Sequence, residues 1–172
     1  ALAIIKAFCN AFDDCSLWSG GGLEWMLLGS NGAERQIEAS DMTAQWRDPN
    51  VFPELVALGF ESVAQLGSLF MADAEHLREL TAEIRPVTDN YPARISSRLV
   101  NFMGYVEVYG HLMDEARRLE RFRNSKMISE RWPAELRIES ERFFEYERLI
   151  KNHFTGNAYR LPSDAYAWEA ID

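Results

Sequence analysis

Residues 13–30 have the sequence Asp-Asp-Cys-Ser-Leu-Trp-Ser-Gly-Gly-Gly-Leu-Glu-Trp-Met-Leu-Leu-Gly-Ser, and the predicted fold follows from them. Two short apolar runs, at 15–18 and 23–28, flank a glycine-rich turn. Glycine adopts positive φ without strain, so this arrangement predicts a β-hairpin. The second run is apolar almost throughout, which predicts a strand covered on both faces, with Trp25, Met26 and Leu27 buried. An isolated hairpin is barely stable in water, and no other segment has an obvious strand pattern, so we expect a missing half to supply partner strands.

The composition excludes some classes of protein. The 172 residues are 47% hydrophobic with a formal net charge of −9, which argues against a nucleic-acid surface. No apolar run approaches the roughly 18–20 residues of a membrane span, and Asp13-Asp14 interrupts any signal-peptide pattern. The chain starts in a predicted helix without Met, so we expect a piece of a longer, cytoplasmic protein.

The hairpin resembles the last hairpin of the spermidine synthase (aminopropyltransferase) family. A helix ending in Ala-Phe is followed by a strand, a turn ending in Gly-Gly, and a strand with the pattern aromatic-Met-Leu-Leu-Gly-Ser. Trp18 stands where the family usually has the tyrosine of Thr-Tyr-Pro-Ser-Gly, and Trp25-Met26-Leu27 stands in place of Phe-Met-Leu. The absent proline and the all-glycine turn are nearer to the bacterial spermidine synthase-like proteins. The resemblance implies that the hairpin closes a Rossmann-like, methyltransferase-type sheet.

A second segment carries the same resemblance. Residues 85–92, Arg-Pro-Val-Thr-Asp-Asn-Tyr-Pro, form a loop that two prolines keep from being helical. The bacterial spermidine synthase-like proteins have a similar Thr-Asp-Asp-x-Pro near the end of the catalytic domain. The resemblance therefore implies that Trp18, Thr88 and Asp89 bind substrate. The residues alone leave a second interpretation, in which Asp89 caps a turn and Tyr91 packs on the domain.

Between these segments, short capped helices are predicted. One lies after Asn50, with Leu55 and Leu58 pointing inward, and Ser62-x-x-Gln65 is a capping box whose helix continues through Phe70. Asp73 begins a third helix, which Pro86 ends.

The carboxyl-terminal part has the pattern of two long helices. One is predicted over residues 98–123, and a second from Trp132-Pro133 to Gly156 with Leu136 and Phe143 inside; together they predict an αα-hairpin, followed by an irregular arm at 157–172. The fold class is therefore helix-rich α/β. Its predicted domains are a spermidine synthase-like segment, 1–95, and a helical extension, 96–172.

The residues whose side chains could bind a ligand or take part in catalysis form no complete site in the sequence. Cys9 and Cys15 are predicted to be a reduced pair. The histidines, at 76, 111 and 153, lie on separate predicted helices without metal-ligand spacing, so no metal site is predicted. The arginine-rich stretch 117–123, offset by acidic neighbours, is interpreted as a solvated helix face. Glutamates 135, 139, 141 and 145 are either a polyamine site or a soluble face.

The conclusions that can be drawn about function are limited by the motifs that the sequence lacks. A Rossmann-type nucleotide site needs a Gly-rich turn that opens a helix, and residues 20–22 lie between two strands instead, so no cofactor-binding residue is assigned. The catalytic residue is unknown. The resemblance implies aminopropyl transfer from decarboxylated S-adenosylmethionine to a polyamine by the parent protein. A methyltransferase on the same fold and a non-catalytic helical interaction subunit are the alternatives. The expected partner is the missing upstream half or a second copy.

Overall fold

A computed structural model describes residues 1–20, 24–32, 37–88 and 102–154, and within the last range it describes the side chains of 107–146. The chain forms two compact units, each built from two separate segments. Unit 1 consists of Ala1–Arg35 and Leu69–Arg131, and unit 2 consists of Gln36–Ser68 and Trp132–Asp172. The predicted boundary at residue 95 falls outside the described residues and stays a prediction.

The described residues form a helix-rich α/β structure with a small antiparallel sheet. The elements of unit 1 are α1 (Leu2–Ala11), β1 (Asp14–Ser19), β2 (Trp25–Ser30), β3 (Phe70–Ala72), α5 (Ala74–Leu80), α6 (Phe102–Met113), α7 (Glu115–Asn124) and α8 (Lys126–Arg131). The elements of unit 2 are α2 (Ala39–Trp46), α3 (Phe52–Ala57), α4 (Gln65–Ser68) and α9 (Ala134–Phe154).

The predicted hairpin is confirmed, but its third strand was not predicted. β1 and β2 pair antiparallel with Leu17 opposite Leu27, and the sheet order is β2-β1-β3. The prediction of a helix through Phe70 is wrong, since α4 ends at Ser68 and β3 follows. Leu17 pairs with Ala72 and Trp18 with Phe70, so Met71 is an extra, bulged residue. Burial of all three β3 residues outweighs the local helical pattern.

The centre of the sheet is β1, which is covered on both faces. On one face, Cys15 and Leu17 pack in a core with residues of α1, α5 and α6: Ile5, Cys9, Leu77 and Leu112. On the other face, the Trp18 ring meets Phe70 edge-on at 5.3 Å, and Phe70 in turn meets Phe122 of α7 at 5.9 Å. The Trp18 Nε1–H donates to Ser16 Oγ at 2.8 Å, so the buried indole keeps a hydrogen bond.

Within the described residues, β2 is covered on one face, so the predicted burial of its other face by a missing half stays a prediction. Trp25 and Leu27 are half-buried against the core, whereas Met26 is 43% and Leu28 is 53% exposed. In addition, β1 takes the central place in the sheet, and β2 lies at the edge with a strand neighbour on one side within the described residues.

The prediction of reduced cysteines is also wrong, because Cys9 and Cys15 form a disulfide. α1 ends at Ala11 and β1 begins at Asp14, so a tight connection brings the last turn of α1 over the first residues of the strand. The Arg78 guanidinium donates to the carbonyls of Cys9, Phe12 and Asp13 at 3.4, 3.2 and 2.8 Å. The disulfide and this guanidinium hold the same short connection.

The predicted helix over 98–123 is interrupted. α6 ends at Met113, and Asp114 is the N-cap of α7, with an extended conformation and a side chain that accepts from the Arg117 N–H at 2.9 Å. Aspartate offers the backbone this alternative to continuing a helix. The first helix of the predicted αα-hairpin is therefore two helices.

In unit 2 the capping box is confirmed. Gln65 Oε1 accepts from the Ser62 N–H at 2.8 Å, and buried Ser140 of α9 places its hydroxyl 2.8 Å from the Ala64 carbonyl. Leu136 and Phe143 are buried, as predicted. The inward placement of Leu58 is wrong, since its side chain is 74% exposed. The predicted arm at 157–172 lies outside the described residues.

We expect Gly29→Ala to destabilise the protein. A Cβ at this position would lie 2.6 Å from Phe12 Cγ and 2.8 Å from Phe8 Cε1, so the α1 rings would have to move. Such overpacking costs about 1–3 kcal/mol of unfolding free energy, measurable by urea denaturation. Gly110→Ala is the matched control, because its Cβ meets nothing within 4 Å and a helix gains about 0.5–1 kcal/mol from this change. Equal stabilities of the two variants would contradict the close packing of α1 on β2.

Reduction of the disulfide should also lower stability. For a loop of this length, the chain-entropy model gives about 2 kcal/mol. The measurement is thermal unfolding with and without reductant. Cys9→Ala/Cys15→Ala is the control, and its melting temperature should not respond to reductant. An identical melting temperature for the wild-type protein with reduced thiols would contradict this expectation.

Candidate functional site

Two of the three predicted substrate-binding residues, Trp18 and Thr88, lie in the described part of the chain. The Trp18 side chain is 7% exposed and packs in the sheet core. Thr88 is exposed, next to Val87, whose N–H donates to the Ala3 carbonyl at 3.1 Å. Asp89 lies outside the described residues. Their assignment to a substrate stays a prediction, and for Trp18 the described contacts are those of a core residue.

The glutamates of α9 do not form one row. Helical geometry places Glu135 and Glu139 on one face, and Glu141 and Glu145 on another, since residues four apart share a face and residues two apart do not. Glu139 accepts from the Ser62 hydroxyl at 2.8 Å. The arrangement offers two separate carboxylate pairs.

A cluster that the sequence did not predict lies where α5, α6 and α7 meet. We call His76, His111, Arg117 and Arg121 the histidine–arginine cluster. The two imidazole rings are stacked, with centroids 5.7 Å apart and planes 18° from parallel. An Arg117 Nη1 atom contacts His111 Nδ1. Buried His76 Nε2 has no hydrogen-bond partner in the described part of the chain.

Arg121 links this cluster to the sheet. Its Nε–H donates to the Met71 carbonyl of β3, and its Nη2 donates to the Leu112 carbonyl at the end of α6 at 2.8 Å. A longer contact of 3.5 Å joins Nη1 to the His111 carbonyl. One turn earlier on α7, the Arg118 Nε–H donates to the Phe70 carbonyl at 3.2 Å. Two guanidinium groups therefore satisfy carbonyls of β3, which pairs with one strand, β1, among the described residues.

The charges within the cluster oppose protonation of the imidazoles. Burial, and then the positive charge of Arg121, lower the pKa of His76, and the acidic residues Glu79 and Asp73 offset this in part. Burial, Arg121 and Arg117 lower the pKa of His111, against Asp114. Burial lowers the pKa of Arg121 to about 10. At neutral pH the cluster therefore holds two neutral imidazoles and two guanidinium cations.

This geometry suits contacts within the protein better than metal binding. Among the described residues, no group of three or more His, Cys, Asp or Glu side chains is placed to hold a metal ion. Stacked rings also do not point their nitrogens at one common centre. The sequence contained one signal for the cluster, the N-cap aspartate at 114, which ends α6 and turns the α7 arginines back toward His111.

The second surface of interest is the outer edge of β2. Its six residues, Trp25–Ser30, contain no charge and no proline, the devices that natural proteins use to protect a free edge. Met26 and Leu28 are exposed on one face. On the other face, Trp25 stacks on Tyr109 of α6 at 5.7 Å, and its buried Nε1 has no hydrogen-bond partner within the described residues. We call Met26, Leu28 and this strand edge the β2 edge.

Comparisons with protein-family models, with curated proteins and with solved structures each give no match to this chain. Across the residues that the structure describes, no helix combines the length and apolar character needed to cross a membrane.

Arg121→Met should destabilise the protein. Methionine keeps an aliphatic stem but leaves the carbonyls of Met71 and Leu112 without this donor. An unsatisfied buried polar group costs about 1–3 kcal/mol, measured as a loss of unfolding free energy in urea. Lys126→Met is the matched control, because it removes an exposed cation from α8 and should change stability by less than about 0.5 kcal/mol. If the two variants were equally stable, Arg121 would not support the edge of β3.

Proposed function

We propose that this chain is the carboxyl-terminal part of a spermidine synthase-like protein, whose reaction is aminopropyl transfer from decarboxylated S-adenosylmethionine to a polyamine. The observation that carries the proposal is the β2 edge. A hairpin follows α1 in the order that the resemblance implies, and its second strand has an uncharged outer edge with no strand neighbour among the described residues. In the proposed parent, β1 and β2 are the last strands of a larger Rossmann-like sheet, and an upstream strand pairs with β2.

The physical argument concerns the faces of β2. One face packs on the core of unit 1 through Trp25 and Leu27, while the other leaves Met26 and Leu28 in water. Burial of apolar surface contributes about 25 cal/mol per Å². An additional layer over this face, with a strand along the edge, would gain this free energy and satisfy the outer backbone groups. The sheet of a larger domain supplies both at once.

In the parent reaction, an amine nitrogen attacks the aminopropyl carbon next to the sulfonium sulfur. The carbon–sulfur bond breaks, methylthioadenosine leaves, and a carboxylate takes the proton from the amine. We assign neither that carboxylate nor the nucleoside site to this chain. Its proposed contribution is the closing hairpin, with Thr88 and Asp89 near the substrate entrance.

A non-catalytic interaction subunit is the second candidate function. The burial of Trp18 favours it, because a side chain enclosed by Ser16 and Phe70 does not reach a substrate without rearrangement of the sheet face. Both candidates use the β2 edge as a contact surface. They differ in whether the completed protein turns over a substrate.

The test of catalysis uses the complete reading frame beside the 172-residue segment. We expect the segment alone to be inactive, and the complete protein to release methylthioadenosine from decarboxylated S-adenosylmethionine and putrescine. Methyl transfer from S-adenosylmethionine by the complete protein would support the methyltransferase alternative. No turnover with either donor, by a folded protein, would support the interaction subunit and overturn the proposal.

Leu28→Lys should prevent association with the upstream half without unfolding the segment. Leu28 is exposed, so the change should alter stability by less than about 0.5 kcal/mol. In the complex the lysine would be buried without a partner, which is costly. Leu58→Lys is the matched control, since it places the same charge at an exposed leucine of unit 2. Copurification of separately expressed halves measures the effect, and equal binding by both variants would exclude the β2 edge as the contact.

The disulfide affects the expected compartment. Cytosolic reducing systems keep most cysteines reduced, so the cytoplasmic location predicted from the sequence and the bond between Cys9 and Cys15 conflict. Thiol labelling after the cells are acid-quenched and denatured distinguishes the two compartments, because both cysteines are buried in the folded protein. Labelling without added reductant supports the cytoplasm, and labelling after reduction alone supports an oxidising compartment.

A further inference from the structure

The histidine–arginine cluster has positive groups but few acceptors. The charged groups that face the imidazoles are Asp73 and Glu79 of α5 and Asp114, Arg117 and Arg121 of α7. Neither capping carboxylate is fully available. Asp73 accepts from the His76 N–H at 3.2 Å, and Asp114 accepts from the Arg117 N–H at 2.9 Å, so both are occupied at helix N-termini.

A proton on either imidazole would therefore enter a poor environment. His76 Nε2 is buried and has no hydrogen-bond acceptor among the described residues, and His111 Nδ1 already faces the Arg117 guanidinium. The stacked arrangement also places the two rings 5.7 Å apart, so two protonated imidazoles would repel each other at short range. Arg121 remains a cation at any pH where the histidines titrate.

We propose that the histidine–arginine cluster is an acid-sensitive switch, in which protonation of His76 and His111 releases Arg121 from β3 and from the end of α6. Arg121 is the group that yields because its anchors are neutral carbonyls, those of Met71, His111 and Leu112, rather than carboxylates. Water can replace neutral carbonyls as hydrogen-bond acceptors for a guanidinium group. Its release uncovers the Met71 carbonyl and removes the hydrogen bonds that join the last turn of α7 to the end of α6. The inference does not depend on the proposed function.

The direction of the pH dependence follows from linkage. Each imidazole binds a proton less readily in the folded protein than in the unfolded chain, because its folded pKa is lowered. Above the ordinary histidine pKa near 6.5 both states are neutral, and the cluster has no effect. As the pH falls below about 6.5 the unfolded state binds more protons, so stability decreases until the folded pKa is reached.

The experiment compares urea denaturation from pH 8 to pH 5 for the wild-type protein and for His76→Phe/His111→Phe, which retains stacked rings without titrating groups. We expect the unfolding equilibrium constant of the wild type to rise below about pH 6.5, by at most about tenfold per pH unit for each histidine. In the double variant, the part of this rise that comes from His76 and His111 should be absent. His153→Phe is the matched control, which removes the remaining histidine of the chain and should keep the wild-type dependence.

A second measurement needs no variant and separates a switch from a general loss of stability. In NMR titration of the wild-type protein, the His76 and His111 resonances should titrate below the ordinary histidine range. The Arg121 Nε–H should lose its protection from exchange over the same range, under conditions where the core amides of β1 stay protected. Ordinary histidine titration, protection of Arg121 that does not change with pH, or equal pH slopes in the wild type and the double variant would each overturn the proposal.

Discussion

Unit 1 depends on supplying hydrogen-bond partners to the buried backbone of β1. A strand that is covered on both faces has no access to water, so its N–H and C=O groups need a neighbouring strand along each edge. β2 is the neighbour from the local hairpin, and β3, more than fifty residues away in sequence, is the other. The bulge at Met71 then leaves consecutive β3 carbonyls for α7, and Arg118 and Arg121 donate to them. The outer side of β3 thus receives donors from α7, whereas the outer edge of β2 has no strand neighbour among the described residues.

The features that the sequence predicted well are those with local causes. The hairpin follows from glycines between apolar runs, and the starts of α4 and α5 follow from side chains that bond their own first turns, as Gln65 and Asp73 do. β3 could not be predicted in this way. Three residues are too few to show a period, and Phe70 continues the apolar spacing of the preceding helix. What makes them a strand is pairing with a distant segment, which no local pattern contains.

The candidate site also combines features with local causes and features that depend on packing between distant segments. Aspartate is a common helix-capping residue, but one helix was predicted through Asp114, and the turn that returns Arg117 to His111 depends on the packing of α6 and α7. Cys9 and Cys15 were six residues apart on a helix and a strand, and their pairing became evident from the tight connection between those elements. Trp18 illustrates the opposite case. The resemblance implied a role in substrate binding, and the contacts observed for it are those of the sheet core.

The division of the chain into two interleaved units determines the order in which it can fold during synthesis. Unit 1 contains the amino-terminal segment of this chain, yet its sheet is incomplete until β3, at Phe70–Ala72, has emerged from the ribosome. α7 and α8 follow only after a further segment. In unit 2 the interval is longer, because α2, α3 and α4 are synthesised well before α9, whose Ser140 hydroxyl donates to the Ala64 carbonyl. During that interval the early helices are exposed to chaperones and proteases, and a premature stop before residue 132 would leave them permanently without the second segment of their unit.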